Sequence, residues 1–550
     1  MEPKSPSKSK LQIGYRSRLR NFVIIPISII LILVLIGGYF ILREHISISQ
    51  KTSSSYFTVV IDCGSTGSRV NIFEWMIGNE SKSLPVLLHI YPDNLNKSNG
   101  CQYHCMQTEP GLHNFVDDKF RVRASLEPLI RYAKRWVPSK KLSQTPIFVL
   151  ATAGMRRLAS NDAQIILQNA ENIVQEHGFM YRKSWIRVLS GKEEAYYGWV
   201  ALNYKMGIFR SSSRLSTLGL LDLGGSSLQV VAEVEYPIKD EHGIRSKIGL
   251  FEHDIVAYSL PAFGLNEAFD RTIVMLSHTE ALRESSNGVF EIGHPCLGLG
   301  YVENYTCRGC FGLEPRVSGN LSYYVILVGE PNWKQCETIA RAAAINSSSF
   351  DLSNQNSHSN CIGLFSYGEN TKLNITKNLH FVSRYHALSG FFAIYNALNL
   401  SQTANLTSLS ETGRNLCSRS SSTDQKIING QYCFRVPYLT ALIQNALCLG
   451  GAEIMFGPGD VSWTLGASLI EGEFLLWKSK NHFLTLKDNV IIASPLVTFV
   501  LLLSLLLIVY CCQIKLPMPG RKIVDVMQLG VPSPTIKVVL TMNIVLNKAT

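Results

Sequence analysis

The sequence predicts an α/β protein of two lobes, each built on a mixed sheet and facing the other across a cleft, with one transmembrane helix at each end. Three observations predict it. A pattern of apolar run, aspartate, glycine with small hydroxyl residues, and second apolar run occurs twice, as TVVIDCGSTGSRVNIF over 58–73 and LGLLDLGGSSLQVVA over 218–232. Two apolar runs, 22–42 and 490–512, are each long enough to cross a bilayer, which takes about 20 such residues. Between those runs lie eight N-x-[ST] sequons and 11 of the 13 cysteines.

At 550 residues the chain is too long for one ordinary core, and 46% hydrophobic with 17% charged content fits folded domains plus membrane segments. The apolar stretch of 22–42 exceeds the roughly 7–15 residues of a signal-peptide core, and the sequence around Phe40 makes a poor cleavage site, so it reads as an anchor. Residues 1–20 hold six Lys or Arg against Glu2, and residues 513–550 hold five against Asp525, which directs both ends to the cytosol. Subtracting those tail excesses from the formal +11 leaves +2 for everything between, so the basic pI gives nucleic-acid binding no support. The expected order is a cytosolic tail (1–21), a span (22–42), lobe I over 56–187 rejoined by 456–487, lobe II over 188–455, a span (490–512) and a cytosolic tail (513–550). The middle then lies in the lumen or outside the cell.

The sequons, at Asn79, Asn96, Asn304, Asn320, Asn346, Asn374, Asn399 and Asn405, agree with that placement, and neither tail has one. With Cys63 left as a thiol, Cys101, Cys105, Cys296, Cys307, Cys310, Cys336, Cys361, Cys417, Cys433 and Cys448 are enough for five disulfides, which an oxidising compartment favours. Cys101 with Cys105 and Cys307 with Cys310 resemble zinc half-sites, but neither has a second pair at ligand spacing. The Ser-rich run 401–425 reads as a surface insertion.

An Asp-Gly step between strands commonly makes nothing more than a hairpin turn. Two such turns, each with glycines and hydroxyls, describe something more specific. Glycine lets successive backbone N–H groups approach an anion closely, here along Gly64 to Ser68 and Gly224 to Ser227. Ser65, Thr66 and Arg69 add side-chain donors, while Asp62 and Asp222, at the ends of buried strands, suit a hydrated Mg²⁺ or Ca²⁺. Facing one another, the loops would grip a metal-bound oligophosphate. Neither is a Walker loop, since neither carries the Lys-[ST] pair.

A duplicated strand–loop–strand phosphate grip is the mark of the actin, sugar-kinase and heat-shock ATPase superfamily. Within it the chain resembles the apyrases, or nucleoside triphosphate diphosphohydrolases, in their membrane-anchored plant form, through five motifs in the family's order. The two loops are the first and fourth. The second is FVLATAGMRRL (148–158), and the third LSGKEEAYYGWVALNY (189–204). The fifth, FGPGDVSWTLGA (456–467), precedes the second anchor. Taken alone, the second is a strand-to-helix junction with Arg156 and Arg157 on a solvated face. The third alone is a helix N-terminus, where acidic residues favour the macrodipole. The fifth alone is a Gly-Pro-Gly turn before a helix.

The resemblance implies more. It implies two actin-like (ribonuclease H-like) lobes with a nucleotide cleft between them, and hydrolysis of the terminal phosphate of nucleoside tri- and diphosphates. Glu194 would be the base that takes a proton from water, with Glu193 its open alternative, because Ala195 stands where the family commonly has Gly. Ser227 and Gln229 would orient the water, although Leu228 replaces a common Thr. Thr152 and Trp463 would lie near the waters of a Ca²⁺ or Mg²⁺ held by Asp62 and Asp222, and Arg156 near the motif that closes the site. Gly225 and Ser226 complete the second loop. SGFFAIY (389–395) stands where relatives have a paired-aromatic stretch, which offers Phe391 and Phe392 for stacking on the base; aromatics at helical spacing are otherwise core. The alternatives are a phosphotransferase (kinase) of the same superfamily and a catalytically silent ectodomain.

Overall fold

In the computed structural model, residues 55–472 are described apart from 77–83, 92–105, 237–240, 262, 279–281, 285–289, 308–322, 346–360, 363–364, 368–371, 404 and 419–430. The first apolar run forms strand β1 (Tyr56–Cys63), whose side chains alternate. Phe57, Val59, Ile61 and Cys63 enter a core with helices α1 (Lys119–Trp136) and α2 (Ser160–Gln175). Val60 packs on the opposite face, and the same parity turns Thr58 and Asp62 that way. β1 pairs antiparallel with β2 (Ser68–Met76) and parallel with β4 (Ile147–Ala151). β3 (Val86–Tyr91) and β5 (Ile186–Val188) complete the order β3-β2-β1-β4-β5, with the short strand Gln107–Thr108 beside β2.

The second lobe repeats this plan. Its strands are β6 (Gly219–Leu223), β7 (Ser227–Glu233), β8 (Gly243–Ile248), β9 (Phe251–Pro261), β10 (Arg384–Ser389) and β11 (Glu453–Phe456), ordered β11-β10-β6-β7-β9-β8. β6 is antiparallel to β7 and parallel to β10, as β1 is to β2 and β4. The hairpins share their register, with Asp62 opposite Arg69 and Asp222 opposite Gln229. Leu221 and Leu223 face the lobe II core, which includes residues of helices α4 (Leu265–Ser277), α5 (Trp333–Ile345), α6 (Gly390–Ala397), α7 (Leu406–Ser418) and α8 (Tyr432–Ala441). Leu220 faces the other way.

Between the sheets lie α3 (Gly191–Lys205) and α9 (463–472). α3 buries residues on every side, as expected of a helix with no solvent face. One core joins Val60, Phe148 and Leu150 of lobe I to Trp199 and Leu202 of α3, Leu465 and Leu469 of α9, and Leu220 and Val231 of lobe II. Thr58 Oγ1 hydrogen-bonds Ser468 Oγ, tying α9 to β1. The chain's return to lobe I therefore follows β11, which stays at the edge of the lobe II sheet.

Disulfides join Cys296 to Cys336, Cys361 to Cys448 and Cys417 to Cys433; Cys307 is disulfide-bonded too, and Cys63 is a buried thiol. Cys101, Cys105 and Cys310 fall outside the described residues, as do both apolar runs and the sequons at Asn79, Asn96, Asn320 and Asn346. Asn304, Asn399 and Asn405 are exposed. Among the described residues no helix is long and apolar enough to cross a membrane. The run 401–425 is less of an insertion than its composition suggests. Much of it forms α7, which buries Leu409 and is pinned to α8 through Cys417 and Cys433.

A methyl group added at Gly466 of α9 would lie 1.9 Å from the Tyr197 carbonyl oxygen of α3, so the two backbones touch there. Gly466→Ala is expected to cost about 3 kcal/mol in chemical denaturation, the upper part of the usual overpacking range. Gly451→Ala, where nothing lies within 4 Å, should stay within about 0.5 kcal/mol of the parent.

Candidate active site

The two loops have the same turn. Gly64 N–H donates to the Gly67 carbonyl at 2.9 Å, and Gly224 N–H to the Ser227 carbonyl at 2.9 Å. They also meet: a methyl group at Gly225 would lie 3.7 Å from Thr66 Cγ2. The N-terminus of α4 fixes the second loop, with Leu265 and Asn266 N–H donating to the Gly224 and Gly225 carbonyls at 3.0 and 2.9 Å. Helix donors that have no intrahelical partner thus engage the loop carbonyls. On the first loop, Thr152 N–H donates to the Cys63 carbonyl at 3.1 Å, and Arg69 reaches Thr66 Oγ1 at 3.3 Å and Asp62 Oδ2 at 3.7 Å.

Three acidic side chains converge on this junction. Burial pushes Asp62 up to about 6, Arg69 opposing it and Asp222 adding to it. Glu194 is pushed up to about 7, first by burial, against the pull of Arg156 and with a further push from Asp62 and Asp222. Asp222 is raised by burial and eased by a hydrogen bond from Ser389. A methyl group at Gly198 would sit 4.0 Å from Asp222 Oδ2 and 3.9 Å from Trp463 Cβ, which puts both beside α3. Like charges forced together in a poorly solvated crevice raise one another's proton affinity.

The neighbouring glutamates divide their work. Ser190 and Glu193 form a capping box, Ser190 N–H donating to Glu193 Oε2 at 2.9 Å and Glu193 N–H to Ser190 Oγ at 3.2 Å. Arg187 donates to Glu193 Oε1 at 2.7 Å. These contacts hold Glu193 below the ordinary glutamate range despite its partial burial. Glu194 instead receives Arg156 Nη2 at 2.9 Å, while Arg156 Nη1 donates to the Leu189 carbonyl at 3.1 Å. Of the pair, Glu194 is the one coupled to both aspartates.

A hard divalent cation fits this donor set. Asp62 Oδ1 is buried without a hydrogen-bond partner, and an oxygen acceptor of that kind suits a cation's bound water. Among the described residues no three His, Cys, Asp or Glu groups are close enough to ligate a metal together.

Ser227 and Gln229 are buried, and Gln229 Nε2 donates to Ser227 Oγ at 2.8 Å. Ser226 is buried in the second loop, whereas Ser65 and Thr66 reach the surface of the first. The expectation for Ser68 concerned its backbone N–H; its side chain is fully buried opposite Cys63, on the strand face of Val70 and Ile72, and turns away from the crevice. One expectation, that for Phe391, needs correction. Phe391 is fully buried in the lobe II core against Phe456, where no base can reach it. The Phe392 ring is half-buried and packs on Gly457 and Gly459.

Other contacts had no local signal. Arg156 grips Glu194, and Arg157 pairs at 2.5 Å with Glu267 of α4, joining the lobes across the junction, so neither arginine merely covers a solvated face. Ser389, whose backbone takes the strained φ of 52°, supports Asp222. A surface hollow of about 840 Å³ over α1, lined by Phe120, Arg123, Glu127 and Arg131, lies apart from these groups; its Arg123 and Arg131 are ion-paired with Glu127.

The model of the GDA1/CD39 (nucleoside phosphatase) family matches residues 48–482. The chain is 34% identical over 490 residues to probable apyrase 7 of Arabidopsis thaliana, covering 85% of this chain but only 64% of that protein's length. It is 24% identical over 516 residues to nucleoside-diphosphatase mig-23 of Caenorhabditis elegans, covering 85% of this chain and 87% of that protein. The structure of nucleoside triphosphate hydrolases from Neospora caninum superimposes with a TM-score of 0.56 at 13% identity, covering 79% of this chain and 96% of that one, and so shares the α/β actin-like fold.

The crowded carboxylates set a pH dependence. Asp62 has a folded pKa of about 6 against 3.8 when free, so ionising it costs folding stability, and that cost enters as pH rises from about 4 to about 6. In the presence of a chelator, Asp62→Asn should unfold together with the parent at pH 4. By pH 7.5 it should be more stable, by on the order of 2 to 3 kcal/mol. Thermal unfolding across that range checks it.

Proposed function

Because the chain belongs to the GDA1/CD39 (nucleoside phosphatase) family, we propose that it is an apyrase, releasing orthophosphate from nucleoside tri- and diphosphates to leave the monophosphate. The observation that carries the reading is a carboxylate poised near neutrality, Glu194, coupled to the aspartates that lead two mirrored, touching loops. Relatives described as apyrase and nucleoside-diphosphatase support the substrate class.

The residues take complementary parts. With the Gly64 and Gly224 N–H groups closing their own turns, the backbone N–H groups from Ser65 onward in the first loop and from Gly225 onward in the second face phosphoryl charge, and Arg69 adds a cation. Asp62 and Asp222, with Thr152 and Trp463 beside them, would hold the water shell of Mg²⁺ or Ca²⁺, which would supply neutralisation of phosphate charge. Ser227 and Gln229 orient a water in line with the terminal phosphorus, and Glu194 accepts its proton. A base with a pKa near the working pH is well matched to that transfer. Phe392 remains a candidate for contact with the base.

Membrane anchorage at 22–42 and 490–512, with the catalytic part in the lumen of the Golgi or at the cell surface, belongs to the same proposal. It is supported by the charge of the tails, the disulfides and the exposed sequon asparagines.

Phosphate release from ATP and ADP by the detergent-solubilised full chain, with Mg²⁺ or Ca²⁺ and no acceptor, tests the activity. Glu194→Gln should lower kcat by about 10²- to 10⁴-fold. Glu193→Gln should keep turnover within a few-fold and lose about 1 kcal/mol of stability through its cap. Release that requires an added hydroxyl acceptor would identify a kinase, and absence of release from the parent would identify a silent ectodomain.

A further inference from the structure

We propose that Ser259 is a positioning residue that fixes the Gln229 amide for its work on the attacking water, an inference that rests on the water-orienting role given above to Gln229. Ser259 on β9 is the direct cross-strand partner of Gln229 on β7. Both follow the parity of the strand face turned to the inter-sheet core, Ser259 with Ile255 and Ala257, and Gln229 with Val231. Gln229 Nε2 donates to Ser227 Oγ at 2.8 Å and to Ser259 Oγ at 3.3 Å.

That double engagement matters because the terminal torsion of glutamine is soft and roughly two-fold. One hydroxyl leaves the amide a hinge; two on the same nitrogen define which end is presented. With both N–H groups directed at Ser227 and Ser259, Oε1 is the end offered to a water, as an acceptor for one of its protons. Glu194 takes the other.

Ser259 also sets a distance. A methyl group at Gly191, the first residue of α3, would lie 2.4 Å from both Cβ and Oγ of Ser259, so serine and helix start are in contact. Glu194 projects from the same first turn of α3. One side chain therefore touches the amide that orients the water and the helix end that carries its base.

The test is a double-mutant cycle in the solubilised full chain, reading phosphate release from ADP. Ser259→Ala should lower kcat about ten-fold with KM within about two-fold, the pattern for a contact that matters in the transition state. In a Gln229→Ala background the same change should alter kcat by less than about two-fold, because a residue acting through Gln229 has nothing left to position. Ser259→Cys, which keeps the bulk with a poor hydrogen-bond partner, should behave as Ser259→Ala does and serves where that variant does not fold; wild-type affinity for a non-hydrolysable ADP analogue identifies folded protein. Equal fractional losses in both backgrounds, or full kcat in folded Ser259→Ala, would overturn the proposal while leaving Gln229 its role. Full turnover by Gln229→Ala would remove the reading on which it rests.

Discussion

The structure depends on how closely α3 can lie between two sheets. A helix buried on all sides must find apolar partners above and below, and α3 finds Phe148 and Leu150 in one lobe and Leu220 and Val231 in the other. Its contact with α9 at Gly466 is backbone on backbone. The reward for that approach is positional. Glu194 emerges from the first turn of α3 into the space where β1 and β6 end, and strand parity turns Asp62 and Asp222 toward it.

Electrostatics then works against the fold. Three carboxylates share one crevice, and burial makes each harder to ionise. Arg156 and Arg69 offset only part of that cost, since Glu194 and Asp62 remain well above the ordinary carboxylate range. Strain at Ser389 belongs to the same pattern, a local penalty held in place by β10 on one side and α6 on the other.

The parts of the site legible in the sequence were local in the chain. The strand–loop–strand units declared themselves through composition and repeat, and the structure gives both the same turn and register. Strand parity was legible as well, within the limits of a single hairpin: Ser68 sits two residues before Val70, on the parity of the apolar core, whereas Arg69 shares the face of Asp62. Phe391 shows a different limit, because helical spacing says that aromatics share a neighbourhood but not whether that neighbourhood is a core or a cleft. Arg156 with Glu194, Arg157 with Glu267 and Ser259 with Gln229 join residues far apart in the chain, so only the assembled sheets could reveal them. α7 was hidden because a serine-rich surface outweighed its single apolar stripe.

The two hairpins are near copies with one telling difference. Opposite the leading aspartate, the first carries Arg69 and the second Gln229. Identical halves would have made a pocket indifferent to which way round its guest arrived. The exchange of a cation for a neutral amide gives the crevice a polarity; under the function proposed above, a chain of phosphates lying across it would be read in one direction, its anionic bulk drawn toward lobe I and its reacting end left beside the glutamate.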